Sequence, residues 1–312
     1  TFFVKVIYGI ENYKPLKSCA LTIGTFDGVH VGHQKIIKRL VMVSKIKDIK
    51  PVVLTFFPHP RMILQSDTSV KLIDTLEEKI NLLKKLNIET LIIHPFSKSF
   101  SRISANEFIR DIIVKSLSVK YLIIGYDHRF GRNREATVDN LVNSGFTYGF
   151  EVEKIEAKEI ETVNVSSTKI RNAIITGDIY KANKYLNRPF KITGKVVTGN
   201  GIGRKIDFPT ANILIPEDFK LLPKDGVYFV KSLIDNHYFF GMMNIGFRPT
   251  VNGKVRTTEV HFLNLNENLY DKKVKIEVLD LIRNEKKFNS LKDLEKQLVS
   301  DKKVCEDLIQ KL

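Results

Sequence analysis

His30 and His33 flank Gly32 in the segment Gly24-Thr25-Phe26-Asp27-Gly28-Val29-His30-Val31-Gly32-His33, which leads from an apolar stretch into a helix. At a helix N-terminus the free backbone N–H groups and the dipole attract anions, and two imidazoles can donate to phosphate oxygens. Gly32 lets the backbone come close to a nucleotide. The segment is neither a GxGxxG dinucleotide fingerprint nor a GxxxxGK(S/T) P-loop. Taken alone, it also fits a polar loop in which His33 caps the helix. A second group is Ser166-Ser167-Thr168-Lys169-Ile170-Arg171, where three hydroxyls open a helix and two cations follow. That order suits the β- and γ-phosphates of a triphosphate, oriented by hydroxyl and backbone donors while the cations offset developing charge. An N-cap with surface cations has the same composition.

In the second half, Gly194–Arg204 is a strand running into a loop with Gly199, Gly201 and Gly203, followed by Phe208-Pro209-Thr210-Ala211-Asn212. Glycines allow a backbone to wrap phosphates, here beside Arg204. Thr210 and Asn212 set two neutral oxygens on one face of an extended segment, a pair suited to Mg2+ shared with a nucleotide. A plain glycine-rich hairpin loop fits the glycines equally. Thr257-Thr258-Glu259-Val260-His261-Phe262 alternates, which places Glu259 and His261 on one face of a strand. Glu259 could then be a general base toward a hydroxyl that attacks a γ-phosphate, or simply part of a solvated face.

These groups need elements to hold them. Up to about residue 155 apolar strands alternate with amphipathic helices. The strands are Cys19–Ile23, Pro51–Phe56, Thr90–Ile93, Tyr121–Ile124 and 150–155; the helices carry Ile36, Ile37, Leu40 and Val41, then Leu76, Ile80, Leu83 and Leu86, then 104–115 and 137–144. This predicts an α/β domain, a parallel sheet with helices on both faces and ligands beyond the carboxyl ends of its strands. Gly24–His33 and Gly125–Gly131 fall there. From about residue 188 short strands separated by turns predict a small antiparallel β-barrel or sandwich with a C-terminal helix from Ser290. The helix stripe Leu291, Leu294, Leu298, Cys305, Leu308 and Leu312 makes Cys305 a core residue. The expected domains are 1–187 and 188–312, divided at Asn187-Arg188-Pro189.

Composition narrows the classes. The chain has 312 residues, 43% hydrophobic and 27% charged, which predicts about two globular domains. No apolar run approaches the roughly 20 residues of a membrane span. The N-terminal residues do not read as a secretory signal, and Cys19 and Cys305 form neither a disulfide framework nor a zinc motif, so the expected compartment is the cytoplasm. Net charge is +15, from 50 Lys+Arg against 35 Asp+Glu, but the cations are interleaved with acids, as in Glu77-Glu78-Lys79. Nucleic acid and membrane are therefore not expected partners, and polyanionic small molecules fit the charge.

The HxGH segment with its distant SSTxxR belongs to the pattern of the nucleotidyltransferase superfamily. With Thr55-Phe56-Phe57-Pro58-His59-Pro60 and Gly125-Tyr126-Asp127-His128-Arg129-Phe130-Gly131, it resembles the FMN adenylyltransferase module of bacterial bifunctional FAD synthetases. The resemblance implies AMP transfer from ATP to FMN with release of pyrophosphate. His30 and His33 would stabilise the triphosphate, with Gly24, Phe26, Asp27 and Gly32 around the nucleotide. Ser166, Ser167, Thr168 and Arg171 would close over it. Asp127 would contact the nucleotide, while Phe57, His59 and Pro60 would line the flavin side. The FMN phosphate oxygen would attack the α-phosphorus directly, with Mg2+ assisting.

The Pro209–Asn212 motif, Pro223–Tyr228, Asn244–Thr250 and Leu281–Glu285 likewise resemble the riboflavin kinase module of that family. This implies Mg2+–ATP on Thr210 and Asn212, Glu259 as base, Gly199, Gly203 and Arg204 in the phosphate loop, and Arg283 near the flavin. Riboflavin, FMN, FAD, ATP, ADP and pyrophosphate are the implied partners; oligomeric state is left open. Some residues depart from the family pattern. His128 replaces an aromatic and Ala136 a Gly. In the second half Thr198 replaces a His, Ile202 a basic residue, Asn264 an Asp and, most seriously, Asp207 a Gly. If Gly serves there for positive φ, Asp adds strain. Two other readings stay open: an adenylyltransferase with a silent barrel, and a nucleic-acid-binding protein on a nucleotidyltransferase fold.

Overall fold

A computed structural model describes residues 4–64, 70–125, 129–156, 165–199, 201, 203–250 and 253–312. By internal contacts the chain divides into two units, Thr1–Ser167 and Thr168–Leu312.

The first unit is a six-stranded parallel sheet. Its strands are β1 (Lys5–Tyr8), β2 (Cys19–Ile23), β3 (Lys50–Phe56), β4 (Thr90–His94), β5 (Val119–Gly125) and β6 (Glu151–Ile155), in the order β1-β4-β3-β2-β5-β6. The short strand β1 was not expected from the sequence. Its four residues carry little apolar periodicity, and it is held by register with β4, Lys5 opposite Thr90. The inner strands are buried on both faces, and alternate residues feed two cores. Leu21, Val52, Leu54, Ile92 and Leu122 share one core with Phe108, Ile109, Ile113 and Leu141. Ala20, Val53, Leu91 and Ile123 share the other with Ile37, Leu40 and Leu83.

The helices on the second face are α1 (Val31–Ile46) and α3 (Leu76–Lys84); a short α2 (Pro60–Leu64) follows β3. On the first face lie α4 (Ala105–Glu107, continued by a π-helical stretch over Phe108–Ser116) and α5 (Val138–Tyr148). The chain leaves β2 toward β3 on one side and returns with β5 on the other. The carboxyl ends of β2 and β5 are thus the switch point where such sheets bind ligands.

The second unit begins at Thr168, one residue into α6 (Ser167–Thr176), and continues into α7 (Ile179–Leu186), the latter not foreseen from the sequence. They group with the barrel, ahead of the Asn187–Pro189 boundary suggested by sequence texture. Asn183 explains much of this: its Nδ2 donates to the Val278 carbonyl at 2.9 Å, and its Oδ1 accepts from Phe190 N–H at 2.7 Å. The barrel strands are β7 (Phe190–Val197), β8 (Ala211–Leu214), β9 (Gly226–Ile234), β10 (His237–Thr250), β11 (Gly253–Phe262) and β12 (Lys273–Asn284). They close in the order β10-β11-β8-β7-β12-β9, every pairing antiparallel.

The final helix, α8 (Leu291–Ile309), starts at Ser290, whose hydroxyl accepts from Asp293 N–H at 3.1 Å. Cys305 is fully buried on this helix, in a core with Phe208, Val227, Phe229 and Met242, against which Leu298 and Leu308 pack. The expected stripe is too long at its ends. Leu291, the first helical residue, is 53% exposed, and Leu312, three residues past the helix end, 80%.

Candidate active sites

In the first unit the turn after β2 is tightly wound. Phe26, Gly28 and Val29 all lie at positive φ, +48°, +86° and +36°. For a β-branched residue such as Val29 this is a strained conformation that surrounding contacts must impose. Gly24 makes room for it, since a Cβ there would lie 3.2 Å from the Phe26 ring. His30 is the N-cap of α1: its Nδ1 accepts from His33 N–H at 3.5 Å, so the cap is His30 and not His33. The two imidazoles stack with centroids 3.7 Å apart, and His33 meets the Phe26 ring edge-on at 5.2 Å.

Burial pushes the His30 pKa down to about 4. His33 is held well below the usual range by burial, then by His30 and the Lys79 ammonium. Its Nδ1 is shut off from solvent and has no hydrogen-bond partner among the described residues. Two neutral rings at a helix start, one with an unused polar atom, suit a polyanion that brings its own negative charge.

Phe57 packs against the core that includes Phe26 and Val29, and His59 is buried, its Nδ1 accepting from Arg61 N–H at 3.2 Å before Pro60 opens α2. Ser167 donates its hydroxyl to the Asp27 carbonyl at 2.9 Å, which ties the hydroxyl motif to the histidine turn. Gly32 is buried in the first turn of α1. Ser166 and Thr168 are exposed and Arg171 is half-buried.

Asp27, expected around the nucleotide, points into the fold. Its carboxylate is 1% exposed and accepts from the backbone N–H groups of Ile73 at 3.0 Å and Asp74 at 3.5 Å. The side chain therefore anchors the turn to the start of α3, where the helix dipole favours a carboxylate. Asp127 and His128 lie outside the described residues. Ala136 sits in an isolated bridge with Phe130.

In the second unit the site is a cleft at the barrel mouth. Asn212 on β8 is in register with Glu259 on β11, which is in turn opposite Asn244 on β10. Thr210 donates its hydroxyl to the Glu259 carboxylate at 3.2 Å. Gly199 makes space for this set: a Cβ there would fall 2.1 Å from the Asn212 amide. Gly203 opens a short 3-10 turn, and a Cβ on it would fall 2.1 Å from the Phe208 carbonyl. Two hollows meet at Glu259. One of about 270 Å³ includes Gly203, Thr210, Asn212 and Arg283. The other, about 600 Å³, is more open and runs past Phe247 and Leu291. Asn244, Glu285, Phe288 and Leu294 border both. Neutral hydroxyl and amide oxygens beside one carboxylate, in a cradle that a Cβ would fill, fit a hard divalent cation shared with phosphates.

Arg204 does not face this cleft. Its guanidinium donates to the Tyr270 hydroxyl at 2.8 Å and lies over that ring. Arg283 lines the smaller hollow but is held from behind, its Nε donating to both Asp301 carboxylate oxygens at 2.9 Å. Asp207 has φ +58°, the left-handed conformation for which Gly is suited, and so does Asn264. Thr198 is exposed and Ile202 lies outside the described residues.

Sequence reasoning quoted Asn244 and Glu285 within motifs but gave them no role, and it missed Asp301; strand register and helix packing bring these to the cleft or behind it. It also passed over Lys79, read as one of many scattered charges. The signal was present: Lys79 lies three residues after Leu76 and four before Leu83, on the buried face of α3.

Comparison with known proteins follows the same division. A family model described as FAD synthetase matches residues 13–169, and one described as riboflavin kinase matches residues 186–309. A protein of Buchnera aphidicola subsp. Schizaphis graminum, described as a bifunctional riboflavin kinase/FMN adenylyltransferase, is 39% identical over 303 residues, 96% of each chain. The Escherichia coli K12 protein with the same description is 36% identical over 301 residues, again 96% of each. A Streptococcus pneumoniae crystal structure, described as a macrolide-efflux protein, superposes with a TM-score of 0.89 at 30% identity, covering 97% of this chain and 99% of that one. Among the described residues no helix is long and apolar enough to cross a membrane.

Proposed function

This chain belongs to the bifunctional riboflavin kinase/FMN adenylyltransferase family, and on that premise we propose how its residues divide two reactions. The enzyme phosphorylates riboflavin with ATP, giving FMN and ADP, and joins FMN to the AMP of a second ATP, giving FAD and pyrophosphate. We assign the first reaction to a kinase domain, 188–312, and the second to an adenylyltransferase domain, 1–187. Both use ATP with a divalent cation, which we take to be Mg2+, and we place them in the cytoplasm. Cys19 and Cys305 are buried free thiols, consistent with a reducing compartment.

In adenylyl transfer, a phosphate oxygen of FMN forms a bond to the α-phosphorus while the bond to the pyrophosphate oxygen breaks. The nucleophile is already an anion, so no general base is required, and the protein's task is to position and to offset charge. His30 and His33 are assigned to the triphosphate, where ring N–H groups donate and a proton can be taken up as negative charge arrives. The backbone of the turn around Gly24, Phe26 and Gly32 carries the nucleotide. Ser166, Ser167, Thr168 and Arg171 are assigned to the β- and γ-phosphates, Asp127 to the nucleotide, and Phe57, His59 and Pro60 to the flavin side.

In the kinase reaction, Glu259 removes the proton of the riboflavin primary hydroxyl as its oxygen attacks the γ-phosphorus and ADP leaves. Thr210 and Asn212 would hold the cation, which supplies charge neutralisation of the β- and γ-phosphates when bound. Gly199 and Gly203 shape the phosphate loop. Arg283, fixed by Asp301, is assigned to the flavin side; Arg204 supports the loop through Tyr270.

The observation that supports this division is that the histidine pair and the Thr210–Glu259 pair stand in separate units, each with its own core. The test is chromatography of products after incubating the purified protein with riboflavin, ATP and Mg2+, beside a parallel incubation from FMN. FAD is expected from both. FAD from FMN alone would leave the barrel without kinase activity, and FAD from neither would overturn the reading.

A further inference from the structure

Beneath the histidine turn lies a lysine for which neither reaction has an assigned use. Lys79 is 2% exposed, and its ammonium donates to the Thr25 carbonyl at 2.8 Å. The carboxylates of Asp27 and Asp74, each 1% exposed, lie close enough to favour its charged form, although burial pulls its pKa down overall. A buried cation is costly unless its site uses it. Here its hydrogen bond goes to the residue just before the left-handed winding of Phe26–Val29. Thr55 also donates to the Thr25 carbonyl, at a longer 3.2 Å.

We propose that Lys79 is a positioning residue for adenylyl transfer: clamped on the Thr25 carbonyl, its ammonium holds the turn that carries His30 and His33. It also offsets Asp27 and Asp74, whose buried charges would otherwise repel an incoming triphosphate. The inference rests on the adenylyltransferase reading of this unit. Charged and titratable neighbours act on both ends of the arrangement. Asp27 from the turn and Asp74 from the start of α3 face Lys79, while His30 and Lys79 act on His33.

The test compares Lys79→Met and Lys79→Arg in the full chain, following both activities. A misplaced turn costs on the order of a hundredfold. Lys79→Met should therefore lower kcat/KM for ATP in FMN→FAD by about that factor and leave riboflavin→FMN within about twofold. Without the neighbouring cation, the His33 pKa rises, so the histidine-dependent limb of the FMN→FAD pH profile should move to higher pH. Lys79→Arg keeps the charge and should keep that limb in place. A Met variant with wild-type FMN→FAD kinetics, or an equal loss in both variants with neither limb moved, overturns the proposal. Thr55→Val decides the matter should Lys79→Met fail to fold. It removes the longer bond to Thr25 and should retain FMN→FAD within about threefold, whereas a hundredfold loss would make Thr55 the clamp and overturn the role of Lys79. Wild-type protein that makes no FAD from FMN would instead sink the underlying reading.

Discussion

Around His30 and His33 the polar groups are buried and fixed, whereas around Glu259 they stand open to solvent. The first site has Asp27, Asp74 and Lys79 beneath it, each at most 2% exposed, and a turn wound through three positive-φ residues. The second has an exposed Thr210 and a half-buried Asn212 and Glu259 at the junction of two hollows, with its stiff support behind it in the Arg283–Asp301 pair. The chemistry accounts for the contrast. Attack by a phosphate oxygen needs no base, so preorganised donors suffice and rigidity is an advantage. Phosphorylation of a neutral hydroxyl needs a carboxylate that reaches substrate and a cation site that exchanges with solvent.

The sharpest way to break this contrast is to remove one site at a time. His30→Ala should lower FMN→FAD about a thousandfold, the scale of losing a preorganised donor, with riboflavin→FMN unchanged. Glu259→Ala should do the reverse, removing a base worth about a hundredfold or more. Product chromatography on both variants reads the two rates side by side. Loss of both activities in either folded variant would mean the sites are not separate.

A smaller effect sharpens the description of the barrel site. A Cβ on Gly199 would meet the Asn212 amide at 2.1 Å, so that side chain would have to move. Gly199→Ala should displace Asn212 at a cost of about 1–3 kcal/mol. Expressed in catalysis this is roughly fivefold to 150-fold, carried by a higher KM for ATP in the kinase reaction alone. An unchanged KM would remove Asn212 from the cation site.

Acid should separate the two units. The folded-state pKa of His30 is depressed to about 4 from an ordinary 6.5, and His33 is depressed too. An unfolded chain therefore binds protons that the folded one refuses, so stability is full above about pH 6.5 and falls as pH drops toward 4. His30 alone, 6% exposed, accounts for a loss of about 3 kcal/mol across that window. The barrel has only the less buried His261 depressed in this way among its described residues. Hydrogen exchange at pH 5 against pH 7.5 should show the sheet unit opening first. Equal loss of protection in both units would refute the buried-histidine account.

Much of this fold was legible because its signals are local. Runs such as Pro51–Phe56 read as buried strands, and both glycine-rich turns and the Ser290 helix start stood at their expected places. The candidates His30, His33, Thr210, Asn212 and Glu259 could be picked out by type and spacing, and the structure stacks the first two and brings the other three side by side. What escaped depends on distant partners. Strand β1 exists through its pairing with β4, and α7 joins the barrel through Asn183. The inward turn of Asp27 depends on backbone N–H groups 46 and 47 residues away. At Lys79 the neighbouring charges masked a helical spacing that puts it on the buried face of α3, while the contact of Arg204 with Tyr270 joins residues 66 apart.

The smallest effect concerns Asp207, which stands before the Phe208–Asn212 segment. Asp207 sits at φ +58°, so the expectation of a glycine-type conformation there holds. Two opposing terms decide what Asp207→Gly does. The left-handed conformation costs an ordinary L-residue about 1–2 kcal/mol, less for Asp, and glycine removes that cost. Glycine also frees the unfolded chain, which destabilises by roughly 0.5–1 kcal/mol. The terms nearly cancel, leaving a gain of about 0.5 kcal/mol at most and a rise in barrel Tm of about 1–3 °C. Thr210, Asn212 and Glu259 keep their positions in either case, so the riboflavin→FMN rate should stay within about twofold. A kinase rate that rose tenfold on Asp207→Gly would show that the strain at this turn reaches the Thr210–Glu259 pair, and that the open site is less forgiving than its exposure suggests.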